Sequence, residues 1–356
     1  MTDQETYDRT LDAPPGSPVP NEPYYQQTLA PGPARRANGL GIALVVVGLL
    51  LLAFQLLGGG FAIGGAGSIT LVDQEFRGNR IELSAAGSDV EIRPGGSGIH
   101  IEAIQRGGSR GDYQIDVVPS GDTVRVTETR GSFFCFFCSR SVSYRITVPA
   151  GAQADIHTAS GEIDVEGLSG AVALGSVSGD VRAADLTGGL TVSTTSGEVQ
   201  LRDVAGKLDV GSISGDIKLE NGDVDGATVN TTSGEVELDG VAGALKVTSV
   251  SGDINLREAH DGRLEISTTS GEIQYEGDLA RASANTLNSI SGDVRLRLPE
   301  SSGFRLDAST VSGDISSDFE LREGEQARWS LSGVAGDGSA TLTIGTTSGD
   351  IQIERR

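Results

Sequence analysis

Nine carboxylates recur behind Ser-Gly pairs: Glu162, Asp180, Glu198, Asp216, Glu235, Asp253, Glu272, Asp293 and Asp314. Side chains of one charge, repeated at nearly equal spacing, can serve two kinds of chemistry once a fold gathers them. Stacked carboxylate oxygens can bridge divalent cations such as Ca2+, which takes about six to eight oxygen ligands. They can instead accept hydrogen bonds from turn N–H groups and from neighbouring hydroxyls, here Thr194, Thr195 and Ser196. Gathered at roughly 5 Å, each adjacent pair repels by about 0.8 kcal/mol even in water, so some compensation is required. The ligand number that Ca2+ demands favours the turn role, and the Gly-Gly-x-Gly-x-Asp signature of Ca2+-binding β-rolls is not spelled anywhere. Both uses of the column stay open at this level, with Ca2+ as the sole cofactor candidate.

A second cluster is SFFCFFCSR at 132–140, which gathers four of the nine Phe around Cys135 and Cys138. Two thiols are too few for a structural zinc site, and neither His100 nor His157 stands at metal-ligand spacing from them. In an oxidising compartment a C-x-x-C pair forms a disulfide, engages a partner's thiol or cycles between redox states. The Phe side chains either pack beneath a cap or form an exposed apolar patch for a partner or lipid. The Arg-Gly-Asp triplet at 110–112 lacks the structural context that a recognition motif needs. His100, His157 and His260 are scattered, and no Ser-His-Asp or phosphate-cradling pattern occurs, so no catalytic or cofactor-binding residue is assigned.

What positions the acids is a repeat. Ser of the Ser-Gly-acid triplet stands at 160, 178, 196, 214, 233, 251, 270, 291, 312 and 348, with early intervals of 18 or 19 residues and a last one of 36. Behind each triplet runs a period-two segment: the apolar pairs Val181/Ala183, Val199/Leu201, Ile217/Leu219 and Val236/Leu238 enclose polar Arg182, Gln200, Lys218 and Glu237. That is a strand buried on one face. Half a repeat away, Val172/Leu174, Leu190/Val192, Leu208/Val210, Leu245/Val247 and Leu264/Ile266 do the same. Single apolar residues also precede the Gly turns, Leu168, Leu186 and Val204 at one corner and Val177 and Ile213 at the other. Gly suits such corners through its freedom to take positive φ.

A coil this short cannot bury its inner face alone and must stack on its copies. The expectation is an all-β, parallel β-solenoid, β-helix- or β-roll-like, of about 18 residues per coil. The Glu/Asp alternation also fits a duplicated unit, or a single larger coil, of about 37 residues, and the sequence leaves that choice open. Val90/Ile92 with Ile99/Ile101, and Ile115/Val117 with Val124/Val126, keep the same beat, so the N-terminal region is expected to add irregular first coils and a cap. Phe304, Phe319 and Trp329 are expected to close the far end.

Upstream the composition changes. Residues 1–38 hold 7 of the 11 Pro and few aliphatics, the composition of a disordered tail. Residues 39–57, GLGIALVVVGLLLLAFQLL, run 19 positions without a charge, enough for one transmembrane helix. The long segment before them argues for a retained anchor over a cleaved signal peptide. Arg35 and Arg36 on one side, against Asp73 and Glu75 on the other, put the tail in the cytoplasm and the rest outside. The domain plan is therefore a Pro-rich cytoplasmic tail at 1–38, the helix at 39–57, a Gly-rich linker at 58–67, an N-terminal β region and cap at 68–158, and solenoid repeats with a C-terminal cap at 159–356. A formal charge of −22 without any basic stripe excludes nucleic acid as a partner.

The stretch YRITVPAGAQADIHTASGEIDVEGLSGAVALGSVSGDVRAADLTGGLTVSTTSGEVQL resembles the bacterial adhesin-like β-strand-repeat proteins, a family of unknown function whose coils carry Val-Pro-Ala-Gly followed by recurring Ser-Gly-Asp/Glu. The likeness covers most of 142–353 and implies an exported β-solenoid; it brings no catalytic residues. The expected function is that of a single-pass, extracytoplasmic binding, adhesion-like or envelope scaffold in the cell membrane, without catalysis. Its partners would be the membrane and a cell-surface or envelope protein or polysaccharide. One rival is an envelope sensor that signals through the tail, with NEPYYQQ as a docking segment. Another is a carbohydrate-active β-helix enzyme, which rests on fold analogy alone.

Overall fold

The computed structural model describes residues 68–107, 112–130 and 141–356. The tail, the apolar span 39–57, the linker, Arg110 and Gly111 of the Arg-Gly-Asp triplet and the Cys135/Cys138 segment lie outside the described residues. Among the described residues there are 27 strands and no helix, hence none long and apolar enough to cross a membrane.

The strands build a β-solenoid-like stack of coils. Strand Val172–Ser176 pairs in parallel with Gln153–Thr158 on one side and Leu190–Thr194 on the other, so that Val172 lies opposite Ala154 and Leu190, each 18 residues away. Across the coil, Val181–Leu186 pairs in the same way with Ile163–Glu166 and with Val199–Ser212. Later rungs stretch to 19 residues, as where Ile217 meets Val236. The coil is therefore the shorter of the two sizes the repeat allowed. Period-two alternation then sends every second side chain inward, and the ladder Ile163, Val181, Val199, Ile217, Val236, Ile254, Ile273, Val294 is at most 1% exposed.

Both ends are closed by one device. At the N-terminal end the coil Arg80–Ala85 with Asp89–Pro94 lies between the coil of Gln153–Thr158 and a coil made by Thr123–Arg130 and Ser141–Val148. At the C-terminal end the last strands, Ala340–Gly345 and Ile351–Arg355, slip between the coil of Ala284–Ser291 and that of Phe304–Ser309. That insertion accounts for the 36-residue interval from Ser312 to Ser348. In each case a coil is inserted out of chain order and held between two neighbours.

Outside these coils the chain turns antiparallel, and two expectations need correction. Ile99/Ile101 and Ile115/Val117 do not form further coils: Ile99–Arg106 and Tyr113–Ser120 run antiparallel to Ser141–Val148 and Thr123–Arg130. The turn through Gly121, at φ +63°, is too tight for a coil corner and reverses the chain. Two of the edge strands, Ser68–Phe76 and Arg322–Ala327, each carry a register shift, which spoils them as templates for another strand. At the far end Phe304 and Phe319 meet edge-on at 5.1 Å, whereas Trp329 is half exposed and closes nothing.

The two corners of a coil differ. Gly167, Asp185, Asp203, Asn221, Gly240 and Glu258 occupy one, with φ between 50° and 74°. At the other, the Gly of the Ser-Gly-acid triplet is needed for a different reason than positive φ. A Cβ on Gly179, Gly197, Gly215 or Gly252 would stand 1.9 to 2.0 Å from the carbonyl oxygen of the Gly in the preceding coil. Close approach of successive coils, not backbone handedness, selects Gly there.

Candidate binding surface

The triplet corner gathers the predicted carboxylates into one column. The hydroxyl that precedes each corner turns inward: Thr158, Ser176, Thr194 and Ser212 are buried and accept the N–H of Gly161, Gly179, Gly197 and Gly215 at 2.8 to 3.2 Å. Thr194 thus serves the Gly rather than a carboxylate. Six of the seven Asp in the column, all but Asp314, reach along the stack instead. Oδ1 of Asp89, Asp180, Asp216, Asp253, Asp293 and Asp350 accepts the backbone N–H of the acid one coil on, namely Glu162, Glu198, Glu235, Glu272, Asp350 and Asp314, at 2.8 to 3.1 Å.

The longer Glu side chains reach sideways. Glu162 accepts from Arg182, Glu198 from Gln200 at 2.9 Å, Glu235 from Asn255 at 2.7 Å and Glu272 from Arg295 at 2.9 Å. The Glu/Asp alternation is therefore two solutions to one crowding problem, a short carboxylate that closes on the next rung and a longer one that leaves the column. Ion pairs fall at Glu162 with Arg182 and Glu272 with Arg295; among the described residues none falls on Glu198, Asp216, Glu235 or Asp253 between them. Among the described residues no group of three or more His, Cys, Asp or Glu is arranged to hold a metal ion.

Asp89 and Asp350 belong to the column and were not counted among the nine. Asp350 follows a regular Ser-Gly pair, but its coil is inserted out of chain order, between Asp293 and Asp314. Asp89 follows Gly87-Ser88, the landmark in reverse. Ser88 takes the place that Gly holds in later coils, is fully buried and donates to Glu128 at 2.5 Å. Glu128 also accepts from the Tyr144 hydroxyl at 2.9 Å, and burial pushes the Tyr144 pKa far up.

A further correction concerns the apolar residues before this corner. Val177 and Ile213 do not face the core; each is 53% exposed, and Val250, Ile290 and Val311 in equivalent positions are exposed too. The residues before the opposite corner, Leu168, Leu186 and Val204, are buried as expected. The difference is steric: at the triplet corner the preceding hydroxyl already fills the inward position, so the next side chain must point out.

On the broad faces, charges pair across rungs. Arg93 lies 2.8 Å from Asp164, Arg257 lies 2.7 Å from Glu237, and Arg297 lies 2.9 Å from Glu354. The Arg125 hydrogen bond holds the Glu82 carboxyl below its usual range, and Lys246 does the same for Glu265. One coil is poor in bulk and opens a shallow cleft on each face. Ala183 and Ala184 line a cleft of about 340 Å³ together with Arg93, Arg182, Arg202 and Lys218, and Ala173 and Gly189 line the other. Arg93, Arg182 and Lys218 are already engaged by Asp164, Glu162 and Glu220. His100, His157 and His260 each face a different aspartate, Asp73, Asp155 and Asp278, so no two share a site.

The chain matches the family described as Toastrack DUF4097 over residues 78–286 and 205–354. No curated protein matches it. Among the solved structures that match is one described as a "putative cell adhesion protein" from Clostridium sporogenes, 10% identical, with 82% of this chain and 100% of that chain covered at a TM-score of 0.22. A likeness of that size carries no argument.

Proposed function

The chain belongs to the Toastrack DUF4097 family, and from that premise we propose that it works as a membrane-anchored, extracytoplasmic binding scaffold of adhesion-like character, without catalysis. One observation carries this reading. A single edge of the stack presents the same sequence of exposed or half-buried side chains, Val, Ile or Thr, then Ser, then after Gly a carboxylate, on coil after coil from Val177 to Val311. Repetition in register suits recognition of an extended or repetitive partner, since one contact type is multiplied along the stack.

Catalysis would need convergent groups that differ in role. The charged side chains on the faces neutralise one another instead, and the carboxylates of the edge are spent on backbone N–H groups and side-chain donors. In this reading residues 39–57 hold the chain in the cell membrane, the tail stays cytoplasmic, and the partner is a protein or polysaccharide of the cell envelope or surface. No cofactor is required.

The test uses the full chain in lipid vesicles. Purified envelope polysaccharide and envelope protein fractions should be retained saturably, with no new reducing ends and no cleaved products. Turnover of any of these materials, lost on changing one carboxylate, would replace the scaffold by an enzyme.

A further inference from the structure

Five large aliphatic side chains, Val177, Ile213, Val250, Ile290 and Val311, stand in one column at 46 to 67% exposure. They occupy alternate rungs. The column opens Val177, Thr195, Ile213, Thr232, Val250 and closes Ile290, Thr347, Val311. In the chain Thr347 comes after Val311; only the inserted coil, whose Ser348 bridges Ser291 and Ser312, restores the alternation in space. The strip is part of the hydrogen-bonded ladder, with Ser196 N–H donating to Val177 O at 3.0 Å and Ser214 N–H to Thr195 O at 2.9 Å.

Its two flanks are unlike. On one side runs the carboxylate column. On the other runs a column of small uncharged residues in register, Ser193, Gly211, Asn230, Thr248, Ser267 and Asn288. The strip is thus apolar along its centre, acidic along one margin and neutral, with hydrogen-bond donors, along the other.

We propose that this edge is a homotypic interface, in which two copies of the chain dock edge to edge and point the same way, about a two-fold axis parallel to the stacking direction. The proposal deepens the scaffold reading and rests on it for the anchor that brings two copies together in one orientation. A two-fold axis along the stack sets each rung against the same rung of the other copy, aliphatic on aliphatic and Thr on Thr, both favourable cross-strand pairs. It also exchanges the margins. The carboxylates of each copy meet the neutral column of the other, with Asn230 level with Glu235, Thr248 with Asp253 and Asn288 with Asp293 on their respective coils. Antiparallel docking would instead align two acidic margins, a like-charge column in which, from Asp180 to Asp314 and among the described residues, Glu272 alone is paired with an Arg.

Size sets the strength. Nine rungs at roughly 4.8 Å make a strip about 40 Å long and, at a width of about 10 Å, about 800 Å² in total between two copies. Stable specific interfaces bury roughly 1,200 Å² or more, so free molecules pair weakly and co-anchored ones, at high effective concentration, pair well.

The experiment is disulfide trapping in the full chain carrying Cys135→Ser and Cys138→Ser, with Val177→Cys or Val311→Cys added. Mild oxidation is applied to native membranes and to detergent extracts at high protein concentration. Each variant alone should give a linked dimer in both preparations, about tenfold more in membranes. Asp203→Cys, at the opposite corner, should stay at background. Ile213→Asp, at an exposed position where thermal unfolding should stay unchanged, should abolish the link at Val177→Cys. The proposal is overturned if neither preparation yields the dimer, if Ile213→Asp leaves it intact, or if mixing the two single-Cys chains gives mainly a link between 177 and 311. Failure of the anchor reading shows separately, as absence of the chain from the membrane fraction while the concentrated extract still links.

Discussion

Each coil turns twice, and the two corners tolerate different residues for different physical reasons. At the triplet corner successive coils approach so closely that there is no room for a Cβ, and the residue must be Gly at ordinary φ. At the opposite corner the same close approach recurs at Gly170, Gly188 and Gly262, and a separate left-handed position is added, which Asp, Asn and Gly mostly share because they adopt that conformation at least cost. One corner is constrained by packing alone, the other by packing and by torsion. The triplet Gly repeats as one letter in every coil except that of Ser88, and the left-handed position repeats as a residue class.

The largest expected effect breaks this comparison at the close approach of two triplet corners. Gly197→Ala would place its Cβ 2.0 Å from Gly179 O, a backbone atom that can move only with its whole coil. A loss of about 3 kcal/mol or more in denaturant unfolding is expected, at the upper end of overpacking costs. Gly226→Ala, near the opposite corner, meets nothing within 4 Å and has no positive φ. It should be neutral or stabilise by up to about 1 kcal/mol through the unfolded state. Equal losses at the two positions would show that the corners are not distinct.

Next in size is the coil where the triplet corner is written backwards. Ser88 stands where later coils have Gly and, with Tyr144, donates to Oε2 of the buried Glu128 carboxylate, whose Oε1 has no partner among the described residues. Tyr144→Phe keeps the packing but removes one of the two donors, and should lower stability by about 2 kcal/mol. A change under about 0.5 kcal/mol would mean that the carboxylate is not held as described. Smaller still is the difference between the two acids. Asp216→Ala frees the N–H of Glu235, with an expected loss of about 1 kcal/mol, while Glu198→Ala removes a side chain that points out of the column and should stay within about 0.5 kcal/mol. At the opposite corner Glu258→Gly should stabilise by up to about 1 kcal/mol, because Glu at φ 50° gains nothing from the strain it carries.

The sequence exposed the strands and the acid column because both are local signals: alternation of period two, and a triplet that repeats within twenty residues. Three features were hidden, each for a physical reason. Apolar Val177 and Ile213 have the same letters whether they face in or out, and only the buried hydroxyl before them decides. The left-handed Asp185 and Asp203 look like ordinary surface acids, since handedness leaves no mark beyond a preference for Asp, Asn and Gly. The threading of Ala340–Gly345 between two earlier coils is a pairing between distant segments, and the lengthened interval before Ser348 records that something intervenes without saying where the strand returns.

The smallest expected effect concerns Ca2+. A ligand that binds the folded chain alone raises stability in proportion to the logarithm of its concentration over its dissociation constant, so millimolar Ca2+ on a micromolar site would move the thermal midpoint by several degrees. Along the triplet corner, however, six of the seven Asp have one oxygen bonded to the next rung, and Glu162 and Glu272 already face Arg182 and Arg295. Between Glu198 and Asp253 a bridging ion would find one free oxygen per Asp and the outward-turned Glu, short of the roughly six oxygens it requires. The midpoint of the full chain should therefore be the same with Ca2+ as with Mg2+ or chelator. A shift that Ca2+ alone produces, and that Asp216→Ala removes, would turn the torsional and packing account of the two corners into an ionic one.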